Sequence, residues 1–433
     1  MERTYHDPLH GAIALDSSDP TEALLIQLID TPAFQRLRRI RQLGPASLTF
    51  HGAESSRFTH SLGVLAIARR AFDRLVHSNP QIQPYRPVVL CAALLHDLGH
   101  GPFSHTAEEV FGSHHEHWTI RILQESGPIR RLLDQFDPQL CDQIGQVYRK
   151  QHPVPLVWQL VTSQLDCDRL DYLMRDSYFT GTTYGRIDLE RILMALRYDP
   201  ASQQLVVARK GIAAIEHYLS VRYFMYAQVY NHPKNLAATW ILQQAIHRAR
   251  HQLQTGNLEA DATVRAWLSD DCNQLSLGQY LAADDHVFSY HLQRWEQASD
   301  PLLADLCRRF THRDLLKAQD VTELQEGDRS ELLQKVRQQL AQQGFDPFVY
   351  SGFRISLSRG YTLYQRGIKV ETAHGLEELS HLSPLVNMLI TSQEKVWLIY
   401  PREIETELAE LLSQHNHPLS PLAEHPEGVV SPT

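Results

Sequence analysis

LLHDLGHGPFSH, residues 94–105, decides how the rest of this chain is read. It closes an apolar run that opens at Pro87, a good first helical position, and stops at Gly99 and Gly101-Pro102. His96 and Asp97 stand side by side at that stop. Imidazole nitrogen and carboxylate oxygen are both ligands for first-row metals. Neighbours on a helix point about 100° apart, so they converge on one ion only at a helix end or bend, and the glycines that follow supply that freedom. Two more ligands must come from elsewhere. His60, in RFTHS at the start of the preceding helix, is the natural third, and Asp168, in DCDRLDYL, the natural fourth. Two histidines and two carboxylates leave open positions for water and a phosphate oxygen. A lone histidine is usually a polar surface or core-edge residue. The reading is carried by the whole pattern, H…HD…D with HGPFSH attached.

Outward from this stretch the first three quarters of the chain read as helical. RFTHSLGVLAIARRAFDRLV has apolar residues near a 3.6 period, and VWQLVTSQLDCDRLDYLMRDSYF and GIAAIEHYLSVRYFMYAQVY read as long amphipathic stretches. No alternating strand pattern of any length stands out before about residue 200. LRYDPASQQLVVA reads as a short hairpin. After about residue 345 the texture changes to β-branched and aromatic residues with glycine punctuation, and KVWLIYPREIETELAELLSQ reads as strand, proline break and helix. The expected architecture is mainly α: a helical core over residues 1–340, a small α+β C-terminal domain over 341–415, and a proline-rich tail, 416–433, whose composition predicts disorder.

Composition sets limits. At 433 residues the chain is long for one domain, and 43% hydrophobic residues suffice for a sizeable core. No run of about 18 apolar residues appears, which excludes a spanning helix, and the N-terminus has no secretory pattern. The five scattered cysteines form no CxxC pair, which suits reduced thiols in the cytoplasm. The net charge of −9 argues against a surface that coats nucleic acid. A polyanionic substrate must instead meet locally clustered Arg and Lys, helped by a metal. The histidines at 60, 96, 100, 105, 114, 115 and 117 crowd one stretch. Of these, His100, His105 and His115, with Glu108 and Glu116, offer proton donors and carboxylates to orient them. His105 and Glu108 are three apart and share a face if that segment is helical. His114 and His117 read as solvent-facing neighbours.

DPLHGAIAL, DTPAFQRLRRIRQLG, SRFTHSLGV, LLHDLGHGPFSH, HHEHWT, DRLDYLMRD and RYFMYAQVYNHPKN follow one another over about residues 5–240. In that order they resemble the HD-domain deoxynucleoside triphosphate triphosphohydrolases, the family of the SAM-and-HD-domain dNTPase and bacterial dGTPase-like enzymes. The resemblance implies one divalent metal on His60, His96, Asp97 and Asp168. It also implies attack of water on the α-phosphorus with release of the whole triphosphate. His100, His105 and His115 match positions that contact the phosphates or the attacking water, and Glu108 stands where one branch has the shorter aspartate. Arg57, Arg169 and Arg222, with Lys234 nearby, match or adjoin phosphate-binding positions. Gln42, Leu43, Tyr172, Asp176 and Tyr230 match the sugar site, where a tyrosine against C2′ excludes a 2′-hydroxyl. Asn231 stands where the SAM-and-HD-domain enzyme has glutamine. Arg3, Asp30, Gln35 and Arg38 match an activating guanine-nucleotide site of a homo-oligomer, a dimer or tetramer. A second activator site is only partly kept: Arg191 and Lys210 fit, Ala195 and Ala208 do not.

The metal is not identified by these ligands, since Mn, Mg, Fe, Ni, Zn and Co all accept them. Two other functions use the same residues. One is an HD phosphohydrolase or phosphodiesterase on another nucleotide phosphate ester. The other is a nucleotide-sensing binding protein with idle chemistry, against which the complete ligand set argues. A (p)ppGpp hydrolase fits less well, because the motif continues as LGHG without an acidic pair.

Overall fold

The structure is a computed structural model that describes residues 2–269, 271–363 and 367–413. The tail read as disordered, 416–433, lies outside the described residues. Helices dominate, in agreement with the mainly α reading. The first departure from it is at the N-terminus, where β1 (Glu2–Asp7) and β2 (Gly11–Asp16) form an antiparallel hairpin. Each strand has only six residues; β2 buries Ile13 and Leu15, while β1 adds only the partly buried Tyr5 to the core. That is too short an alternation to stand out in the sequence.

The helix Arg57–Ser78 carries His60 and is capped by the Ser56 hydroxyl, which accepts from Thr59 N. The helix Arg86–Leu95 ends one residue before His96. The stretch read as one amphipathic helix from Val157 to Phe179 is broken in two: Pro155–Gln159, a turn, then Cys167–Thr180. Asp166 is the reason. Its carboxylate accepts from Ser163 N (2.7 Å) and Arg169 N (2.8 Å), which bends the chain and starts a new helix one residue before Asp168.

Two apolar cores result. One is built by the helices around Leu62, Leu94 and Leu170, the other by the helix Pro233–Gln254 and the segments after it. The loop after His96 and Asp97 crosses the seam: Leu98 is buried in the first core and Phe103 in the second. The hairpin read at 196–208 is present as β3 (Leu196–Asp199) and β4 (Gln204–Ala208). Later strands are β5 (Lys317–Asp320), β6 (Gly352–Ser358), β7 (Lys369–Thr372), β8 (Gly375–Glu378) and β9 (Gln393–Tyr400). As read, β9 is followed by Pro401 and the helix Glu405–Ser413. The strands do not make a sheet of their own. The order β5-β9-β6 recruits Lys317–Asp320, and β7 extends the earlier hairpin in parallel through Val207 and Val370. The α+β part read from 341 onward thus shares both its sheets with earlier segments. Among the described residues, no helix is long and apolar enough to cross a membrane.

One close contact positions the site. A Cβ on Gly63 would lie 2.0 Å from Asp171 Oδ1 and 2.4 Å from Arg175 Nη2. Glycine in mid-helix is unfavourable in itself, but here it lets the helix Cys167–Thr180 bring a buried ion pair against the helix of His60. Gly63→Ala should therefore cost about 1–3 kcal/mol of folding stability, read as a lower midpoint in urea. An unchanged midpoint would show that this interface is loose.

Candidate metal centre and catalytic cavity

Four side chains converge where the helix Arg86–Leu95 ends. His60 Nε2 lies 3.0 Å from Asp168 Oδ1, 3.3 Å from His96 Nε2 and 3.7 Å from Asp97 Oδ2. His96 Nε2 lies 3.2 Å from Asp97 Oδ1 and 3.7 Å from Asp168 Oδ1. The partners fix the tautomers. His60 Nδ1 donates to Asp171 Oδ2 (2.7 Å) and His96 Nδ1 to the Ala93 carbonyl (2.9 Å). Both Nε2 atoms therefore present lone pairs to each other amid carboxylate oxygens, an arrangement that calls for a cation. Ligands about 2.1 Å from one ion stand about 3.0–3.4 Å apart, so His60, His96 and Asp97 form a group able to hold a divalent metal, with Asp168 beside the two histidines. His60 is fully buried, which lowers its pKa, yet the hydrogen bonds with Asp168 and Asp171 raise it further, to about 10. Without a metal, this pocket would draw in a proton. Asp168 is the most open of the four, with its side chain 29% exposed, and faces the cavity.

The loop that aims His96 and Asp97 is held from several sides. Gly99 N donates to Thr119 Oγ1 (2.9 Å), Tyr280 OH to the Gly99 carbonyl (2.6 Å), and Arg36 Nη1 to the His100 carbonyl (2.8 Å). A Cβ on Gly99 would stand 2.0 Å from the His115 carbonyl oxygen, so glycine alone allows the loop to lie on the helix His115–Glu125. Phe103 and Ser104 both have positive φ, 61° and 57°. Strain of this kind at non-glycine residues gathers at functional sites. Here it places Ser104 Oγ to accept from Arg57 Nε (2.9 Å), while Arg57 Nη1 binds Asp97 Oδ2 (2.7 Å).

The remaining histidines form a second group beside the metal ligands. The ring of His100 stacks on that of His115 at 4.1 Å, and His105 meets both edge-on. Glu108, on the helix His105–Phe111, takes His115 Nδ1 on one oxygen and lies 3.4 Å from His105 Nδ1 with the other. Burial opposes ionisation of Glu108, but those two histidines outweigh it and hold its carboxyl well below the usual range. His100 is pushed the other way: burial, then Arg57 and His115, keep it neutral. Its Nε2 faces Asp97 Oδ1 at 3.2 Å, and its buried Nδ1 has no partner.

These groups open into one cavity of about 630 Å³. Of the residues named from sequence, Gln42, Leu43, Arg57, Arg169, Tyr172, Asp176, Tyr230 and Asn231 line it with His96, Asp97, His100, His105, His115 and Asp168. His60 is buried beneath it, and Glu108 stands behind the histidines it holds. Arg222 does not line it: its Nη1 donates to Gln164 Oε1 (2.9 Å). Lys234 does not line it either. Asn231 lines the cavity, but its amide donates to the Leu357 carbonyl and Ser358 Oγ, both 3.1 Å. Tyr230 ends a π-helical turn, Tyr226–Tyr230, a deviation frequent at binding sites, and its hydroxyl donates to Asp176 Oδ2 (2.9 Å). Burial raises Asp176 to about 7.

Sequence reasoning missed the residues behind and beside these. Asp171 orients His60 and also meets His10 Nε2 (2.5 Å) and Arg175 Nε (2.7 Å), while Arg175 Nη1 donates to Asp7 Oδ2 (2.9 Å). The signal was available in DRLDYL, where Asp168 and Asp171 are three apart on one helical face. Tyr148, Lys150, Thr162 and Asn235 line the cavity without any motif to mark them.

Comparison with known proteins agrees with this geometry. Residues 57–155 match the HD domain and residues 187–344 the HD associated region. An uncharacterized protein of Bacillus subtilis, YwfO, is 37% identical over 413 residues, 93% of each chain. A deoxynucleoside triphosphate triphosphohydrolase SAMHD1 homolog of Dictyostelium discoideum is 26% identical over 477 residues, 99% of this chain and 83% of that one. A phosphohydrolase of Bacteroides thetaiotaomicron superposes with a TM-score of 0.82 at 29% identity, over 93% of this chain and 100% of that one. With both HD regions matched, this fold and a relative 37% identical along nearly its whole length, this chain belongs to the HD-domain phosphohydrolases of the dNTPase-like family.

Proposed function

We propose that this phosphohydrolase acts on deoxynucleoside triphosphates and releases deoxynucleoside and tripolyphosphate. The observation that carries the reading is a single cavity shared by the metal ligands, the histidine group and the Tyr172–Tyr230–Asp176 cluster. Tyr172 and Tyr230 meet edge-to-face at 6.1 Å, and a sugar packed on them would have no room for a 2′-hydroxyl. Asp176 Oδ1 and Gln42 Oε1 are buried acceptors without partners, suited to a 3′-hydroxyl. A substrate without a sugar would leave this cluster idle.

A divalent ion on His60, His96, Asp97 and Asp168 would supply polarisation of the α-phosphate and a more acidic bound water. The chain's own groups do the rest. His100, held neutral beside Arg57 and His115, faces Asp97 through Nε2 and stacks on His115, so it keeps both side chains in place. His105 faces Glu108 through Nδ1; in its doubly protonated form it gives the Nε2 proton to O5′ as the bond from the α-phosphorus to O5′ breaks, and the proton lost by the attacking water restores it. Arg57 and Arg169 bind phosphate oxygens through their planar forks.

We also propose that the chain is a cytoplasmic homo-oligomer, a dimer or tetramer, activated by a guanine nucleotide. Arg3, Asp30, Gln35 and Arg38 lie close together: Arg3 binds Asp30 through both terminal nitrogens (2.5 and 2.8 Å), and Arg38 Nε donates to Gln35 Oε1 (2.8 Å). The guanidinium presents Asp30 with two parallel N–H groups, the pattern of the guanine edge. A nucleotide would thus replace Arg3 in kind. Arg38 lies 3.6 Å over the ring of Phe58, next to Arg57 of the cavity, a short path for coupling.

Phosphorus NMR of the products from a nucleotide panel tests the reaction. Tripolyphosphate should appear first, faster from 2′-deoxy than from ribo substrates, and Asp97→Asn should lose metal and at least about 100-fold in rate with its circular dichroism unchanged. Orthophosphate or pyrophosphate as first product would transfer the site to another phosphate ester.

Asp176 gives a pH signature. Its folded pKa of about 7 exceeds the ordinary carboxyl value, so from about pH 4 to 7 the folded chain holds a proton that the unfolded chain gives up. Stability must fall as pH rises through that window and stay lower above it. Asp176→Asn should be more stable than wild type by ~1–4 kcal/mol at pH 8, with the difference shrinking toward pH 4. A constant difference at all pH values would mean that Asp176 is ionised throughout.

Activation is tested by rates against dNTP concentration with and without GTP or dGTP, alongside mass in solution. GTP should raise the rate about 5-fold or more in an oligomer, and Asp30→Ala should abolish the effect. Hyperbolic kinetics from a monomer indifferent to GTP would exclude it.

A further inference from the structure

The cavity contains one cation that no part of the foregoing mechanism uses, Lys150. It is the one lysine lining the cavity among the described residues, beside Tyr148 and Thr162. It follows the helix Leu140–Tyr148, which packs against the helix that ends at His96 and against the helix that begins at His115. Lys150 therefore reaches the cavity from elements fixed to the metal ligands and the histidine group.

Its backbone is unusual. Lys150 has φ 58°, its N–H donates to the Val147 carbonyl (2.9 Å), and Gln151 N–H donates to the Gln146 carbonyl (2.8 Å). This is a helix-ending turn whose left-handed residue is ordinarily glycine, because a side chain is disfavoured there. A lysine kept in that place, with its side chain on the cavity wall, costs stability that a glycine would not.

The charges around it show what a cation there would serve. Asp97, Asp168, Asp176, Glu109 and Glu116 all line the cavity, and the whole chain carries −9. A divalent metal serves only the phosphate that touches it. The distal phosphates of a polyphosphate chain need a further cation, and a lysine ammonium is a common phosphate binder.

We propose that Lys150 binds the phosphates beyond the α-phosphate and fixes the tripolyphosphate end of the substrate. The proposal rests on the triphosphohydrolase reading above and makes Lys150 a positioning residue for it. The test is calorimetric binding of inorganic tripolyphosphate, orthophosphate and a deoxynucleoside to the metal-loaded protein, with melting temperatures. Wild type is compared with Lys150→Gly, Lys150→Met and Lys150→Arg. Lys150→Gly should melt no lower than wild type, yet both it and Lys150→Met should bind tripolyphosphate about tenfold or more weakly. Lys150→Arg should recover most of that affinity, and deoxynucleoside binding should not change. Equal tripolyphosphate binding in all four proteins would overturn the role of Lys150, as would a matching loss for deoxynucleoside. No tripolyphosphate binding by wild type would overturn it together with the triphosphohydrolase reading. Lys150-dependent binding in a protein that releases no tripolyphosphate from any dNTP would uphold the phosphate site and remove that reading alone.

Discussion

The carboxylate of Asp171 is the interaction on which this site rests. It is fully buried and receives His60 Nδ1, His10 Nε2 and the Arg175 guanidinium. Leaving a buried charge unpaired costs about 3–5 kcal/mol, so these partners hold one another in place. Three consequences follow from the one group. His60 must offer Nε2 as a lone pair to the metal position. The hairpin β1–β2 is tied to the metal centre through His10 and through Asp7 on Arg175. The helices of His60 and Asp168 must approach so closely that only Gly63 fits between them.

Around that anchor, like groups are driven to opposite protonation states. His60 is pushed up to about 10, while the equally buried His100 is pushed well down. The difference lies in their neighbours, carboxylates for His60 and Arg57 with His115 for His100. Glu108 is held ionised by two histidines, and Asp176, which is buried and receives the Tyr230 hydroxyl, rises to about 7. Pairs whose environments separate their pKa values divide acid, base and binding roles. In this cavity the separation puts negative charge behind the histidines and a near-neutral carboxyl beside Tyr230.

What the sequence made legible was whatever is local. His96 and Asp97 are neighbours at a helix end marked by Gly99, and His105 and Glu108 are one turn apart, so their convergence can be read from spacing. His60 and Asp168 needed the motif order as well. Asp171 sat in plain view in DRLDYL, but its role depends on a contact with a helix more than a hundred residues earlier, which no spacing reveals. The hairpin at residues 2–16 was missed because its strands are short and largely polar on one face. The helix break before Asp168 was missed because Asp166 acts through a cap on the backbone, not through apolar periodicity. Arg222 looked like a phosphate ligand from its place in the motif, but its guanidinium turns to Gln164. Lys150 carries no motif at all; only its backbone angle and its place on the cavity wall distinguish it.

The C-terminal strands bear on the same cavity, although nothing in their composition says so. Arg354, on β6, binds Glu109 (2.7 Å), which follows Glu108 on the helix that also carries His105. Three and four residues on, the Leu357 carbonyl and Ser358 Oγ hold the amide of Asn231, next to Tyr230 on the cavity wall. β6 is itself fixed by β9, which is paired on its other side with β5. One strand thus grips the histidine helix at one point and the Tyr230 turn at another, and the distance between those two sides of the cavity is set by the register of β6. No residue of β6 lines the cavity itself. The α+β segment is therefore a brace behind two of its walls, and the shared sheets described above tie that brace to the helical core.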